Sequence, residues 1–226
     1  MAAPDVTVIM PVCAWPDAND MSGAPHPQLR AALDSVSAAA PGVRVELLVG
    51  VDGPASRVTD AALAWSRTAP EHVDTRVVAF EKQPACTFGN HQRNRLLGTA
   101  TGRLIAWQDQ DDQFFPGALT GVVSLARQHP GKPLIFKMQV CSDRNGSPPR
   151  VLWEERGRVE RHRIGGHMLV VPNEPALLGR WEPETMYSAD FDFISETLKR
   201  FASVGHEPVW SDMFISNLRP HTMGGL

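Results

Sequence analysis

The sequence predicts an α/β protein built on a mostly parallel sheet. Short β-branched runs alternate with amphipathic helical patterns through residues 6–107. The run Leu104-Ile105-Ala106-Trp107 is apolar without alternation, as in a strand buried on both faces. Acidic turns, Asp52-Gly53 and Asp109 to Asp112, follow strands of this series, where open α/β sheets gather their ligands.

The elements follow in order. Val6–Val12 ("VTVIMPV") is a β-branched strand, and the Pro, Asp and Gly cluster from Pro16 to Pro27 is a loop. Leu29, Ala32, Leu33 and Val36 have the spacing of one helix face. Strand Val43–Val51, helix Ala55–Trp65, strand Thr75–Phe80, helix Asn90–Leu97 and strand Arg103–Trp107 complete an alternation that implies right-handed parallel crossovers. Beyond Pro116 the regularity fades into a helix Gly117–Gln128, a strand Pro133–Val140, an arginine-rich stretch 150–163, the apolar run "MLVVP" and a helix Ser188–Ala202. No internal repeat or low-complexity linker interrupts them. One domain over 1–226 is expected, with a ligand-binding half at 1–112 and a less regular half at 113–226.

At 226 residues and 42% hydrophobic, the chain can bury a sizeable core, which excludes a disordered protein. Its formal charge of −3 gives no global attraction to polyanions, so any such partner must meet a local patch. Cys13, Cys86 and Cys141 are odd in number and widely spaced, unlike a disulfide framework or a zinc site. A reducing cytoplasm suits them, and no apolar run reaches the roughly 18 residues of a membrane span.

The chemistry concentrates in "LIAWQDQDDQFFPGAL", residues 104–119, where an apolar strand runs into Asp109, Asp111 and Asp112. Like charges this close repel by about 1 kcal/mol per pair even in water, so a positive partner is expected. The plainer reading is a solvated acidic turn in which Asp112 or Gln113 starts the helix opened by Pro116. Arg93 and Asn94 lie on the helix entering this strand, and Gly89 before them permits a tight backbone entry. Carboxylates on the floor of a cleft with an arginine beside them outline a site for a nucleoside diphosphate and a metal.

The ordered series "VTVIMPV", "LLVGVDGP", "QRNRLLGTATGRLIAW" and "DQDDQFFPGAL" resembles a family 2 glycosyltransferase of GT-A fold over roughly residues 5–120, and small stand-alone actinobacterial and phage members in particular. The segments "GGHMLVVPN", "SADFDF" and "RPH" fall where such enzymes carry acceptor-side elements, a catalytic carboxylate and a late histidine. The resemblance implies an inverting transferase that uses a nucleotide-diphosphate sugar, a UDP-sugar favoured, with Mn²⁺ or Mg²⁺. It puts Asp52 against the nucleobase, Asp109 near the ribose and Asp111 on the cation, with His221 as a second protein ligand. Pro11, Val12, Arg93 and Gln110 complete the implied nucleotide site. Val51 and Ala189 stand where the family commonly has further acidic residues, and Cys13-Ala14 replaces an aromatic-Asn pair.

An inverting transfer needs a base for the acceptor hydroxyl. Asp190 and Asp192 compete for it. With Phe191, Ile194, Leu198 and Phe201 as the apolar stripe and about 100° per residue, Asp190 falls on the stripe's margin and Asp192 almost opposite, facing water. A first-turn carboxylate stabilised by the helix dipole is the structural alternative for Asp190. His162 and His167 lack metal-ligand spacing and are expected at the surface. Arg150, Arg156, Arg158, Arg161 and Arg163 alternate with Glu154, Glu155 and Glu160, which reads as a salt-bridged hairpin or as a flap touching acceptor phosphates. The acceptor is accordingly a saccharide, a protein or a hydroxymethylated DNA base. A sugar-nucleotide pyrophosphorylase would share sheet and metal site but carries a Gly-rich basic loop after its first strand, which "PVCAWPDAND" lacks. A non-catalytic sugar- or nucleic-acid-binding module would not need Asp109, Asp111 and Asp190 together.

Overall fold

A computed structural model describes residues 3–13, 28–53, 56–82, 89–140, 150–152, 157–182 and 188–218. The predicted loop Pro16–Pro27 and the residues Ala14, Cys86, Cys141, Glu154, Glu155, Arg156 and His221 lie outside them. Strands β1 (Val6–Cys13), β2 (Val45–Asp52), β3 (Val73–Phe80) and β4 (Leu104–Trp107) alternate with helices α1 (Leu29–Ala39), α2 (Ser56–Ser66) and α3 (Asn90–Leu97). β5 (Gln113–Phe114), α4 (Ala118–Gln128), β6 (Leu134–Val140) and β7 (Arg150–Leu152) follow. The chain then runs through a 3₁₀ turn at Gly166–Met168, β8 (Leu169–Pro172), a second 3₁₀ turn at Pro175–Leu177, α5 (Ala189–Ser203) and β9 (Val209–Leu218).

The strands form one sheet in the order β3-β2-β1-β4-β8-β6-β9-β5, with β7 on β6. The first four are parallel, as the alternation requires, while β8 runs antiparallel to both β4 and β6. Pairing of Cys13 with Asp52 and of Asp52 with Phe80 brings the carboxyl ends of β1, β2 and β3 to one edge. β4 stops opposite Ile9, four residues short of the end of β1, and the chain turns there through the acidic cluster.

Both faces of the central strands are buried, by side chains two apart. Val8, Met10, Leu104 and Ala106 pack under α1, α2 and α4 with Leu33, Val36, Trp65 and Leu119. Ile9, Ile105 and Trp107 pack on the other face with Leu96 of α3 and with Phe193, Ile194 and Phe201 of α5. Such strands have no polar face to alternate, which is why they read as continuous apolar runs.

A buried carboxylate ties the lower ends of these strands together. Glu46 Oε2 accepts the Thr7 hydroxyl at 2.6 Å and the Thr101 amide at 2.7 Å, and Oε1 accepts the Thr101 hydroxyl at 2.9 Å and Arg76 at 3.1 Å. Glu46→Ala leaves these donors without their acceptor and is expected to lower stability by about 3 kcal/mol, read as a shifted urea midpoint. An unmoved midpoint would mean that water replaces the carboxylate at no cost.

The second half departs from the sequence expectation in two places. Gln113–Phe114 is a strand on β9, so neither Asp112 nor Gln113 starts a helix; α4 begins at Ala118, after Gly117 at φ 73°. In the arginine-rich stretch, residues 153–156 lie outside the described residues; among the described ones, β7 is an antiparallel strand on β6, and Glu160 pairs with Arg158 and Arg163 as the expected salt-bridging requires. No element was expected after Ala202, where β9 supplies ten residues of strand. Its register against β6 shifts twice near Lys137, and these irregularities break the alternation that would have marked it.

Candidate active site

The acidic turn after β4 is held from every side. Gln108, fully buried, donates through Nε2 to Ala32 O at 3.2 Å, Ser35 Oγ at 3.0 Å and Asp112 O at 2.8 Å, closing the turn onto α1. Gln110 extends the interrupted ladder: its Oε1 accepts the Cys13 amide at 3.1 Å, where a backbone carbonyl of a longer β4 would lie. Asp109 is the half-exposed member, while Asp111 and Asp112 are 7% and 2% exposed. The residues named as a charge cluster are therefore two buried carboxylates beneath one that faces the edge.

Arg93 supplies the expected positive partner. Its guanidinium pairs with Asp109, donates to Asn90 Oδ1 at 3.2 Å and lies 4.7 Å over the ring of Trp181. The backbone entry explains its reach. Gly89 sits at φ 80°, and a Cβ there would fall 2.5 Å from Pro11 Cβ, so only glycine lets α3 start this close to β1. One turn on, Asn94 clamps Trp181 by donating to its carbonyl at 2.6 Å and accepting its amide at 3.0 Å. Trp181 in turn stacks on Phe193 of α5, ring centroids 4.4 Å apart.

The second half of the chain reaches this edge through the 3₁₀ turn at Gly166–Met168. The Gly166 amide donates to Asp190 Oδ2 at 3.0 Å, and His167 Nε2 accepts the Asp109 amide at 2.8 Å. His167 is thus buried, at 6% exposure, against the surface position expected for it; His162 is exposed as expected, at φ 67°. Nothing in its spacing marked His167, because its partners lie 58 residues away in sequence. His167 and the carboxylates of Asp109 and Asp112 place three ligand-type atoms within 4.8 Å of one another. His221 lies outside the described residues, and Asp111 is not part of that trio.

Helix α5 is rotated from the expected phase. Its buried positions are Ala189, Phe193, Ile194, Thr197 and Phe201, with Phe191 and Leu198 only half-buried. Asp190, three, four and seven residues before Phe193, Ile194 and Thr197, lies on the inner face rather than its margin. Asp192 lies on the outer flank, its side chain 36% exposed, and accepts Ser188 Oγ at 3.1 Å and Arg161 at 3.4 Å. At the end of β2, Asp52 pairs with Lys82 at 2.5 Å beside Gly53. Val12 is a core side chain at 2% exposure, so its backbone alone borders the edge, and Pro11 serves as the seat for α3.

No protein-family model matches the chain, and no curated protein sequence does. Solved structures do. S. aureus TarS 1-349 in complex with UDP-GlcNAc superimposes with a TM-score of 0.70 at 18% identity, covering 96% of this chain and 59% of that one. The fold is GT-A. Mannosyltransferase PcManGT from Pyrobaculum calidifontis, in complex with GDP-Man and Mn²⁺, matches with a TM-score of 0.62 at 18% identity over 99% of this chain and 59% of that one. The present chain thus spans about three-fifths of the length of these two chains. No helix among the described residues is long and apolar enough to cross a membrane.

Proposed function

We propose that the chain is a metal-dependent, inverting glycosyltransferase of family 2 that transfers a sugar from a nucleoside-diphosphate donor to an acceptor hydroxyl. One observation carries the reading: neighbouring residues of a single turn, Gly166 and His167, touch Asp190 and the Asp109 turn respectively, which supports a base and an acidic diphosphate site side by side. The neighbours' UDP-GlcNAc, GDP-Man and Mn²⁺ support a nucleotide-sugar donor and a divalent ion.

The side chains fit that ion chemically. Carboxylate oxygens dominate the turn, and Mn²⁺ and Mg²⁺ take oxygen donors while leaving positions for phosphate. Asp111, the residue the resemblance implies, would hold it together with Asp109 and Asp112, whose carboxylate oxygens lie within 4.8 Å of each other. Bound there, a divalent cation offsets the charge that develops on the departing nucleoside diphosphate. Asp52 at the end of β2 would meet the base, Arg93 would orient Asp109, and Asp190 would take the acceptor proton.

Thermal shift tests this directly. UDP or GDP at about a hundred times Kd stabilises by about 2.7 kcal/mol, about 5–10 °C for a domain of this size, and is expected to do so only with Mn²⁺ present. Asp111→Asn should remove most of that shift. Equal stabilisation without the ion, or in the variant, would take the metal out of the proposal.

A further inference from the structure

We propose that the Gly166–His167 turn is a strut holding the donor-side acidic turn and the acceptor-side carboxylate in register, and that His167 is a positioning residue rather than a metal ligand. The inference rests on the glycosyltransferase reading and assigns that site its internal alignment.

The geometry at His167 decides between the two roles. An sp² ring nitrogen has one in-plane lone pair. In His167 the Nε2 lone pair is committed to the Asp109 amide at 2.8 Å, although Asp112 Oδ2 lies 3.2 Å and Asp109 Oδ2 3.8 Å from the same atom. Ligation through Nε2 would cost that hydrogen bond and release the backbone of the residue Arg93 holds by its carboxylate. Asp109 is thus gripped twice, by Arg93 at the side chain and by His167 at the amide.

The next residue back grips Asp190. Consecutive Cα atoms are about 3.8 Å apart, so one peptide unit separates the donor-side and acceptor-side contacts. The turn is itself closed by Met168 N to Gly165 O at 3.0 Å and by Gly165 N to Met168 Sδ at 3.3 Å. On its core side it has no room to move: a Cβ on Gly166 would lie 2.9 Å from Cη2 of the fully buried Trp181, which is fixed by Asn94, Arg93 and Phe193. Because adjacent residues of the turn hold both groups, a displacement of the turn is felt at the Asp109 amide and at the Asp190 carboxylate.

His167→Gln and His167→Leu test the strut. Gln can present its carbonyl oxygen to the Asp109 amide, and Leu cannot. Three readouts apply: amide exchange of Asp109 by NMR in the ligand-free protein, UDP affinity in Mn²⁺ by calorimetry, and nitrogen coupling to bound Mn²⁺ by pulsed EPR. The leucine variant is expected to exchange Asp109 faster and to bind UDP roughly tenfold more weakly, the worth of one hydrogen bond. The glutamine variant should stay within about twofold of wild type and show the same nitrogen coupling. Should the leucine variant not fold, His167→Asn, polar but too short to reach the amide, takes its place.

A nitrogen coupling lost in the glutamine variant would make His167 a ligand and overturn the proposal. Unchanged Asp109 exchange and UDP affinity in the leucine variant would overturn the strut while leaving the transferase reading intact. If the wild-type protein binds neither UDP nor GDP with Mn²⁺, the transferase reading falls, the strut loses its role in alignment, and Asp109 exchange decides whether the contact holds the turn at all.

Discussion

Asp190→Asn is expected to bind UDP or GDP with Mn²⁺ as the wild-type protein does and to lose sugar transfer by roughly 10²- to 10⁴-fold, the usual worth of a general base. The substitution is discriminating because Asn keeps a carbonyl oxygen that can accept the Gly166 amide, now met by Asp190 Oδ2 at 3.0 Å, so the turn stays in place while the proton acceptor is lost. Asp192→Asn should cost far less. Its carboxylate is occupied by Ser188 and Arg161 at the outer flank of α5, a helix-start arrangement whose loss is felt as stability. Hydrolysis of UDP-GlcNAc or GDP-Man, with water standing in for the acceptor, gives the rate, and calorimetry gives the affinity. Full activity in Asp190→Asn with loss in Asp192→Asn would exchange their roles.

How this site became legible follows from where its contacts lie. The parallel half could be read because each strand is apolar on both faces and each crossover helix carries a regular stripe, so Val8 and Ile9, adjacent in sequence, enter opposite cores. The acidic turn could be found because β4 ends abruptly in carboxylates. Its scaffolding could not. Gln108 reads as one more polar residue, yet it is fully buried and binds Ala32, Ser35 and Asp112.

The same limit hid His167, whose meaning lies in a backbone amide 58 residues away, and Asn94, which is read as a plain helix residue until Trp181 closes on it. The phase of α5 departs from its hydrophobic pattern for a related reason. Phe191 has the spacing of a stripe member, but its ring lies 5.3 Å beneath the Arg161 guanidinium at the helix flank, and Thr197 takes a buried position with its hydroxyl accepting the Gly179 amide at 2.9 Å. Hydrophobicity predicts which face is inner only where the partners of polar side chains do not intervene.

Arg93→Met is expected to lower stability by about 2 kcal/mol and to weaken donor binding with it, because it removes a buried guanidinium whose partner Asp109 is half-exposed and partly screened by water. The guanidinium is 6% exposed, pairs with Asp109, donates to Asn90 and stacks on Trp181, whereas Met fills the stem's volume and offers none of these. Arg93→Lys should recover less than half the loss: an ammonium can meet the Asp109 carboxylate but cannot also lie flat on the indole while donating to Asn90. The decisive measurement is a cycle with Asp109→Asn, by urea titration. In the Met background Asp109 keeps its charge beside Asp111 and Asp112 without Arg93, so neutralising it should restore part of the stability. In the wild-type background the same change removes an ion pair and should cost stability. Opposite signs in the two backgrounds, with a coupling of about 1–3 kcal/mol, are the expected outcome. Additive losses would show that Arg93 acts on Trp181 and Asn90 alone, and that the acidic turn is balanced by some other charge.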